Sequence, residues 1–218
     1  MQTQILALFE TKPSFENFMP INNQHIVNLL TSYSQQFINI IGTKYSGKTH
    51  LLKAWCSQIG QTAIYLTDTD INVSSDDLIT KYTHIAIDDI DNLNDLQQIQ
   101  LFNLFNALKL QKLNNQVLTS SSCALEKIPH LRDEFRTRFL SGINLTLKAP
   151  NDEELKNALI FFLSKESITM GSNECNYLIN HYTRNIGLLI QATRKIADIA
   201  VTQNRNITIP LIKEILSI

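Results

Sequence analysis

One stretch of eight residues constrains the fold of this 218-residue chain more than any other. It matches the pattern G-x-x-x-x-G-K-[ST], in which glycines let backbone amides approach phosphate oxygens and the next helix adds partial positive charge. Residues 37–41 in front predict an apolar strand, and a helical pattern follows from Thr49. This context favours a phosphate-binding loop over a chance glycine-rich turn before a core helix. The predicted nucleotide-binding residues are Gly42, Thr43, Lys44, Tyr45, Ser46, Gly47, Lys48 and Thr49.

A second motif supplies an acid for this loop. Lys48 is expected to reach the β- and γ-phosphates, and the Thr49 hydroxyl is expected to bind Mg²⁺. The apolar residues 85–87 end in Asp88 and Asp89, with one predicted strand between them and the loop. Asp88 is the candidate metal ligand, and Asp89 lies where a base or a water-positioning group belongs. Strand-end acids also cap helices, so the functional interpretation rests on the phosphate-binding loop.

Strand and helix patterns alternate as far as Pro150, which is typical of a parallel sheet covered by helices on both faces. After Pro150 no strand pattern follows, and the sequence predicts three or four helices. We therefore expect an α/β fold with a tail at 1–13, a base with a five-stranded parallel sheet at 14–150 and a small all-α lid at 151–218. One long helix begins after Asn94, and its predicted buried face consists of Leu96, Ile99, Phe102, Phe105 and Leu108.

Composition narrows the class of protein. The chain is 44% hydrophobic and 18% charged, as in globular proteins, and no apolar run approaches the ~20 residues of a membrane helix. With 19 basic and 20 acidic residues it has a net charge of −1, which argues against strong DNA binding by the chain alone. Three scattered cysteines and an N-terminus without a positive region predict a cytoplasmic protein with reduced thiols.

Three further segments have two interpretations each. Small hydroxyl residues at the end of the fourth predicted strand, of which Thr119 is the catalytic candidate, either contact the γ-phosphate or attacking water or cap the next helix. Arginines 132–138 either reach a nucleotide bound by a neighbouring subunit or lie in solvent on an amphipathic helix. The apolar tail either packs on the domain or is a short linear motif whose Leu8 and Phe9 fill a pocket of a partner.

Together these motifs resemble a known family. The phosphate-binding loop, Ile87-Asp88-Asp89-Ile90, Leu118-Thr119-Ser120-Ser121 and Arg136-Thr137-Arg138-Phe139 resemble the AAA+ core of the bacterial initiator DnaA. The chain ends where DnaA continues into a DNA-binding domain, and residues 207–216 resemble the ending of the Hda family, the regulatory inactivators of DnaA. The tail resembles the sliding-clamp motif of that family at four residues: Gln4, Ile5, Leu8 and Phe9.

The resemblance implies a function and its partners. An Hda-type protein binds the DNA polymerase III sliding clamp (its beta subunit), contacts ATP-bound DnaA and promotes hydrolysis there, so that it touches DNA only through the clamp. Arg138 matches the arginine finger that acts across the interface. Lys48, Thr49 and Asp88 would hold the protein's own ADP or ATP with Mg²⁺. No membrane is involved, and self-association into a homo-oligomer stays open.

Some residues depart from the family pattern, and other functions stay open. The family's sensor-two arginine aligns with Gly187. Arg184, expected one helical turn earlier on the same side, is the candidate nucleotide-binding residue that would replace it. The two alternatives to an inactivator are a nucleotide-dependent helicase loader or truncated initiator, and a stand-alone ATPase in which Asp89 supports turnover. A clamp-binding tail favours the inactivator, because a loader has no need of one.

Overall fold

The computed structural model divides the chain into two compact units that meet in sequence between Ala149 and Pro150. The first is an α/β unit and the second is helical. The predicted clamp-binding residues of the tail lie outside the described part of the chain, which comprises residues 12–19, 21–32, 35–71, 75–110 and 114–218.

The first unit contains the five-stranded parallel sheet that the sequence predicts, in the order β2-β3-β4-β1-β5. Helices lie between successive strands along the chain. The strands are β1 (Phe37–Ile41), β2 (Ala63–Leu66), β3 (His84–Ile87), β4 (Gln116–Ser121) and β5 (Ile143–Thr146). The helices are α1 (Gln24–Ser32), α2 (Lys48–Ile59), α3 (Ser75–Lys81), α4 (Asp95–Leu110) and α5 (Asp133–Leu140).

The central position of β1 determines where the phosphate-binding loop lies. This strand pairs with β4 on one side and β5 on the other. Ile38 and Ile40 pack with α2, whereas Phe37 joins the apolar cluster on the opposite face of the sheet. Because all strands are parallel, their carboxyl ends meet at one edge. The loop after β1 therefore lies at the same edge as the acids after β3 and the hydroxyls of β4.

The buried face of α4 differs from the predicted one. Leu96 is 73% exposed and Ile99 is 37% exposed, so the prediction that both are buried is wrong. This helix carries apolar residues on most of its sides, so that spacing alone fits more than one face. The residues that the structure buries are Gln98, Leu101, Leu104, Phe105 and Leu108.

Aromatic rings join the sheet to α4 and α5. The ring of Phe105 lies with its centroid 4.3 Å from that of Phe37 on β1 and 4.4 Å from that of Phe139 on α5. Phe135 packs against Phe139 at 4.3 Å, and all four rings are buried. The orientation of α5 therefore depends on packing around Phe105.

The second unit consists of four helices around a separate apolar core. Its first helix is capped by Asn151, whose side chain accepts from the Glu154 N–H at 2.9 Å, while Glu154 accepts from the Asn151 N–H at 2.8 Å. The helices are α6 (Asp152–Lys165), α7 (Ser172–His181), α8 (Ile186–Thr202) and α9 (Ile209–Leu216). Within the described residues, no helix combines the length and apolarity needed to span a bilayer.

We predict that Phe105→Ala lowers the free energy of unfolding of the first unit by about 3–5 kcal/mol, because it leaves a cavity among packed rings. Urea denaturation monitored by circular dichroism measures the change. Leu110→Ala, which truncates an 82% exposed side chain on the same helix, is the matched control and should change stability by less than about 0.5 kcal/mol. Equal effects of the two substitutions would contradict the packing role of Phe105.

Candidate nucleotide site and arginine helix

The phosphate-binding loop needs its two glycines for steric reasons. Gly47 has φ of 101°, and a Cβ atom there would lie 2.8 Å from Cε2 of Phe18. A Cβ atom on Gly42 would lie 2.5 Å from Oγ of Ser46. Of the residues between them, Thr43, Lys44 and Tyr45 are exposed at the rim of the loop. The loop thus closes tightly at its base and is open where a phosphate would enter.

Two polar groups inside the loop are placed for an anion. Lys48 is buried, and its ammonium donates to the carbonyl oxygens of Gly42 at 2.9 Å and Thr43 at 3.5 Å. The Ser46 hydroxyl is also buried, and no described residue hydrogen-bonds to it. A buried hydroxyl without a partner is costly, and phosphate oxygens would satisfy it. The residues present therefore fit the phosphates of a nucleotide.

Asp88 is the most heavily hydrogen-bonded carboxylate at this edge. Its Oδ2 accepts from the Thr49 hydroxyl at 2.6 Å and from the Tyr65 hydroxyl at 2.8 Å, and its Oδ1 accepts from the Ser120 hydroxyl. The structure thus brings the two predicted metal ligands, Thr49 and Asp88, into direct contact. Hydroxyl and carboxylate oxygens suit Mg²⁺, which takes its other ligands from phosphates and water. Accordingly, no group of three or more His, Cys, Asp or Glu residues in the described ranges is placed to hold a metal unaided.

Asp89 lies beside the lysine of the loop. Its carboxylate is 3.8 Å from the Lys48 ammonium, and its N–H donates to the Ser120 hydroxyl at 2.8 Å. Its φ of 49° is in the left-handed region, which Asp tolerates better than most residues. Burial raises the pKa of Asp89, the neighbouring Asp88 raises it further, and Lys48 opposes the shift. Asp89 is therefore a carboxylate held at the loop with an elevated proton affinity.

Of two further residues at this site, Tyr65 was not predicted, and Ser120 was predicted only as a member of the hydroxyl motif of β4. Tyr65 ends near the metal candidate because β2 is the edge strand next to β3, and burial together with Asp88 raises the pKa of its phenol. The Lys53 ammonium lies 4.9 Å from the centre of its ring. Ser120 links Asp88 to the backbone of Asp89. For Ser120 the signal was present in the hydroxyl motif of β4, whereas an apolar strand gives no reason to single out Tyr65.

The structure does not bring Thr119 to these acids. Its hydroxyl is fully buried and donates to Oδ1 of Asn39 at 2.9 Å. Successive residues of a strand point to opposite faces, so Thr119 and Ser120 cannot both face the loop. The hydroxyl at the site is that of Ser120, and the expectation that Thr119 contacts phosphate or water is corrected accordingly.

Two arginines of α5 are placed very differently. Arg136 donates to the carbonyl oxygens of Ile128 at 3.1 Å and Leu131 at 3.2 Å, and to Asp133 at 3.0 Å. It therefore anchors the segment in front of the helix. Arg138 is half-buried, and its guanidinium has no hydrogen-bond or ion-pair partner within the described residues. Only Arg138 of this pair presents a guanidinium that is available to another molecule.

Arg184 is not on the helix that carries Gly187. Asn185 accepts from the Leu188 N–H at 3.1 Å and so caps α8, which begins at Ile186. Arg184 precedes that cap and forms an ion pair with Asp152 in the same unit. The expectation that Arg184 lies one turn from Gly187 on the same helix side is therefore wrong, because the chain has not yet entered the helix.

Comparisons with known proteins agree with this architecture. Residues 152–216 match the family model described as Hda, lid domain. A Haemophilus influenzae protein of uncharacterised function is 28% identical over 220 residues, which cover 94% of each chain.

Solved structures show the same fold at low identity. Domain III of the Thermotoga maritima replication initiation protein DnaA superposes with a TM-score of 0.73 at 21% identity, over 94% of this chain and 95% of that one. AMPPCP-bound DnaA from Aquifex aeolicus superposes with a TM-score of 0.66 at 18% identity, over 88% of this chain and 65% of that one. Thermotoga maritima RuvB superposes with a TM-score of 0.67 at 17% identity, over 94% of this chain and 71% of that one.

The parallel sheet, the loop after its central strand and the helical second unit together form the fold of AAA+ P-loop proteins. Within that fold, residues 152–216 match the lid domain of the Hda family, so the second unit resembles an Hda lid.

The raised pKa of Asp89 predicts a pH-dependent effect of Asp89→Asn. A carboxyl whose pKa is higher in the folded protein contributes most stability below its ordinary 3.8, and this is lost as the pH rises through the folded value. The substitution should therefore raise the melting temperature at about pH 8, and the gain should shrink as the pH falls toward about 4. Thermal unfolding across this range measures it, with the exposed Asp198→Asn as control. A lower melting temperature of Asp89→Asn at the higher pH would contradict the shift.

Proposed function

We propose that this chain is a negative regulator of replication initiation that stimulates ATP hydrolysis by the initiator DnaA. The observation that carries the proposal is the guanidinium of Arg138, held half-buried on α5 without a partner among the described residues. The Hda lid and the DnaA-like fold support DnaA as the protein whose nucleotide it meets.

Arg138 would act on charge that develops outside its own chain. In phosphoryl transfer, negative charge spreads over oxygens of the transferred group, and an arginine supplied by a neighbour can raise the rate ~10³–10⁵-fold. The planar guanidinium donates two parallel hydrogen bonds to such oxygens, which lysine cannot do. Arg136, two residues earlier, is engaged with Ile128 and Leu131 and so serves to hold the helix that carries Arg138.

The chain's own site would bind adenine nucleotide, ADP or ATP, rather than carry out the main hydrolysis. Lys48 and Ser46 face the loop interior, and Thr49 with Asp88 would hold Mg²⁺. Two residues that the sequence assigned to this site bind other side chains instead: Thr119 donates to Asn39, and Arg184 forms an ion pair with Asp152. Because neither Thr119 nor Arg184 is then available to the nucleotide, we expect the chain to hydrolyse its own nucleotide only weakly. The bound nucleotide would serve mainly to order the base.

The tail would tether the protein to the replication machinery. Gln4, Ile5, Leu8 and Phe9 match the family's sliding-clamp motif in sequence. An extended peptide with two large apolar anchors suits a pocket on a partner. Binding DNA through the clamp, rather than directly, agrees with the net charge of −1.

Arg138→Ala should abolish most of the stimulation of DnaA, by about 10³-fold or more, while the protein still binds ADP with unchanged affinity. Arg138→Lys should recover little, because the forked geometry is lost. Single-turnover hydrolysis by ATP-bound DnaA, in the presence of DNA-loaded clamp, measures the effect. Lys127→Ala removes an exposed cation close to the same helix and is the matched control. Full stimulation by Arg138→Ala would remove the finger assignment.

Combined Leu8→Ala and Phe9→Ala should weaken binding to the sliding clamp by more than about tenfold, since each buried apolar side chain contributes roughly 1.5–3 kcal/mol. Gln4→Ala should weaken it less. Surface plasmon resonance on immobilised clamp measures the affinities, with Thr3→Ala as a control in the same segment. If the double variant binds as tightly as the parent, the clamp-tethering part of the proposal fails while the role of Arg138 is untouched.

A further inference from the structure

A buried glutamine connects α4 to the segment that leads into α5. Gln98 is only 1% exposed, although glutamine is usually found at the surface. Its Nε2 donates to the carbonyl oxygens of Leu93 at 3.0 Å and His130 at 3.3 Å. Its Oε1 accepts from the N–H of Arg132 at 3.1 Å. One side chain thus fixes three backbone groups, of which two belong to the turn just before α5.

That turn determines where α5 begins. Arg132 is the N-cap residue of α5, so its backbone sets the start and direction of the helix. Leu131 and Phe135 pack into the same apolar cluster as Phe105, which limits translation of the helix. Apolar packing is non-directional, however, whereas the hydrogen bonds of Gln98 fix the backbone of residues 130–132 in one arrangement. Arg138 lies a turn and a half further along this helix, so a small rotation at its start moves the guanidinium.

The same turn is also tied to the acids after β3. The His130 ring nitrogen Nε2 lies 2.7 Å from the carbonyl oxygen of Asp91. The carboxylate of Asp91 accepts from the Ser122 N–H at 3.1 Å and from the Ser122 hydroxyl. Asp91 follows Asp89 by two residues in the same short turn. The turn that carries Asp89 and Asp91 is therefore joined to the turn before α5 by the contact between Asp91 and His130, and Gln98 binds the second of these turns.

We propose that Gln98 is a positioning residue for Arg138: by fixing the backbone of His130 and Arg132, it sets the orientation of the helix that presents the finger. This inference rests on the proposed function of Arg138. The simpler role, a buried polar group that only stabilises the fold, predicts a smaller amount of folded protein with unchanged activity per molecule. A positioning role predicts folded protein with lower activity.

The test is a titration of ATP-bound DnaA with Gln98→Met, which keeps the length of the side chain but removes its hydrogen bonds. The plateau rate at saturating protein should fall about tenfold, since small misplacement of a catalytic group reduces the chemical step. ADP affinity, which reports the folded base, should stay within about twofold of the parent. A merely structural role would leave the plateau unchanged and shift only the concentration needed to reach it, and that outcome would overturn the proposal.

A second variant and a control keep the test decisive. Gln98→Leu also removes all three hydrogen bonds with an apolar side chain of similar volume, so it should lower the plateau as well. It replaces the first variant if Gln98→Met does not fold. Asn103→Ala, at an exposed position of the same helix, should keep the parent plateau. A full plateau with either folded Gln98 variant contradicts the proposal.

Hydrogen exchange separates this proposal from that of the finger itself. In Gln98→Met the amides of residues 133–140 should exchange at least about tenfold faster, while those of α6–α9 keep the parent rates. If Arg138→Ala retains stimulation, the proposed function fails. Faster exchange of α5 in the Gln98→Met variant would still show that Gln98 orders this helix. If Arg138→Ala loses stimulation but α5 of the Gln98→Met variant exchanges as in the parent, the finger assignment stands and only the proposal for Gln98 fails.

Discussion

The carboxylate of Asp88 is the point on which the nucleotide site depends. A buried carboxylate is costly unless it is hydrogen-bonded, and here three hydroxyls donate to it, from Thr49 on α2, Tyr65 on β2 and Ser120 on β4. Each comes from a different element, so the anion holds the phosphate-binding helix and two strands in register at one edge of the sheet. Ser120 extends this arrangement by accepting from the backbone of Asp89, whose carboxylate faces Lys48.

The two arginines of α5 show how one helix serves packing and function at once. Arg136 donates to carbonyl oxygens of the preceding segment, Ile128 and Leu131, and thereby becomes part of the fold. Arg138 is left half-buried, with its guanidinium without a described partner. A partly buried side chain has less conformational entropy to lose than a fully exposed one when it meets an anion. The contacts of Arg136 thus hold the helix that carries the proposed finger, Arg138.

Much of the fold was predictable from the sequence, and the errors have two causes. Local pattern located the phosphate-binding loop, the five strands and the pairing of Thr49 with Asp88, because each depends on chain order and parallel geometry. It failed where a side chain's neighbours come from distant segments. The predicted face of α4 chose Leu96 over Gln98, since no local rule predicts a buried glutamine that serves Arg132. Thr119 and Arg184 were misplaced because strand alternation and the Asn185 cap were not resolved at single-residue accuracy.

The position of β1 in the sheet has a consequence for how the protein is made. This strand is the first of the five to leave the ribosome, but its partners are the fourth and fifth, and Phe37 pairs with Val117. At translation rates of about 5–20 residues per second, roughly 4–16 s separate the two. During that interval the phosphate-binding loop has no strand beside it to hold its shape, and Asp88 lacks the hydroxyl of Ser120. This edge of the sheet therefore cannot assemble on a nascent chain before β4 has been made.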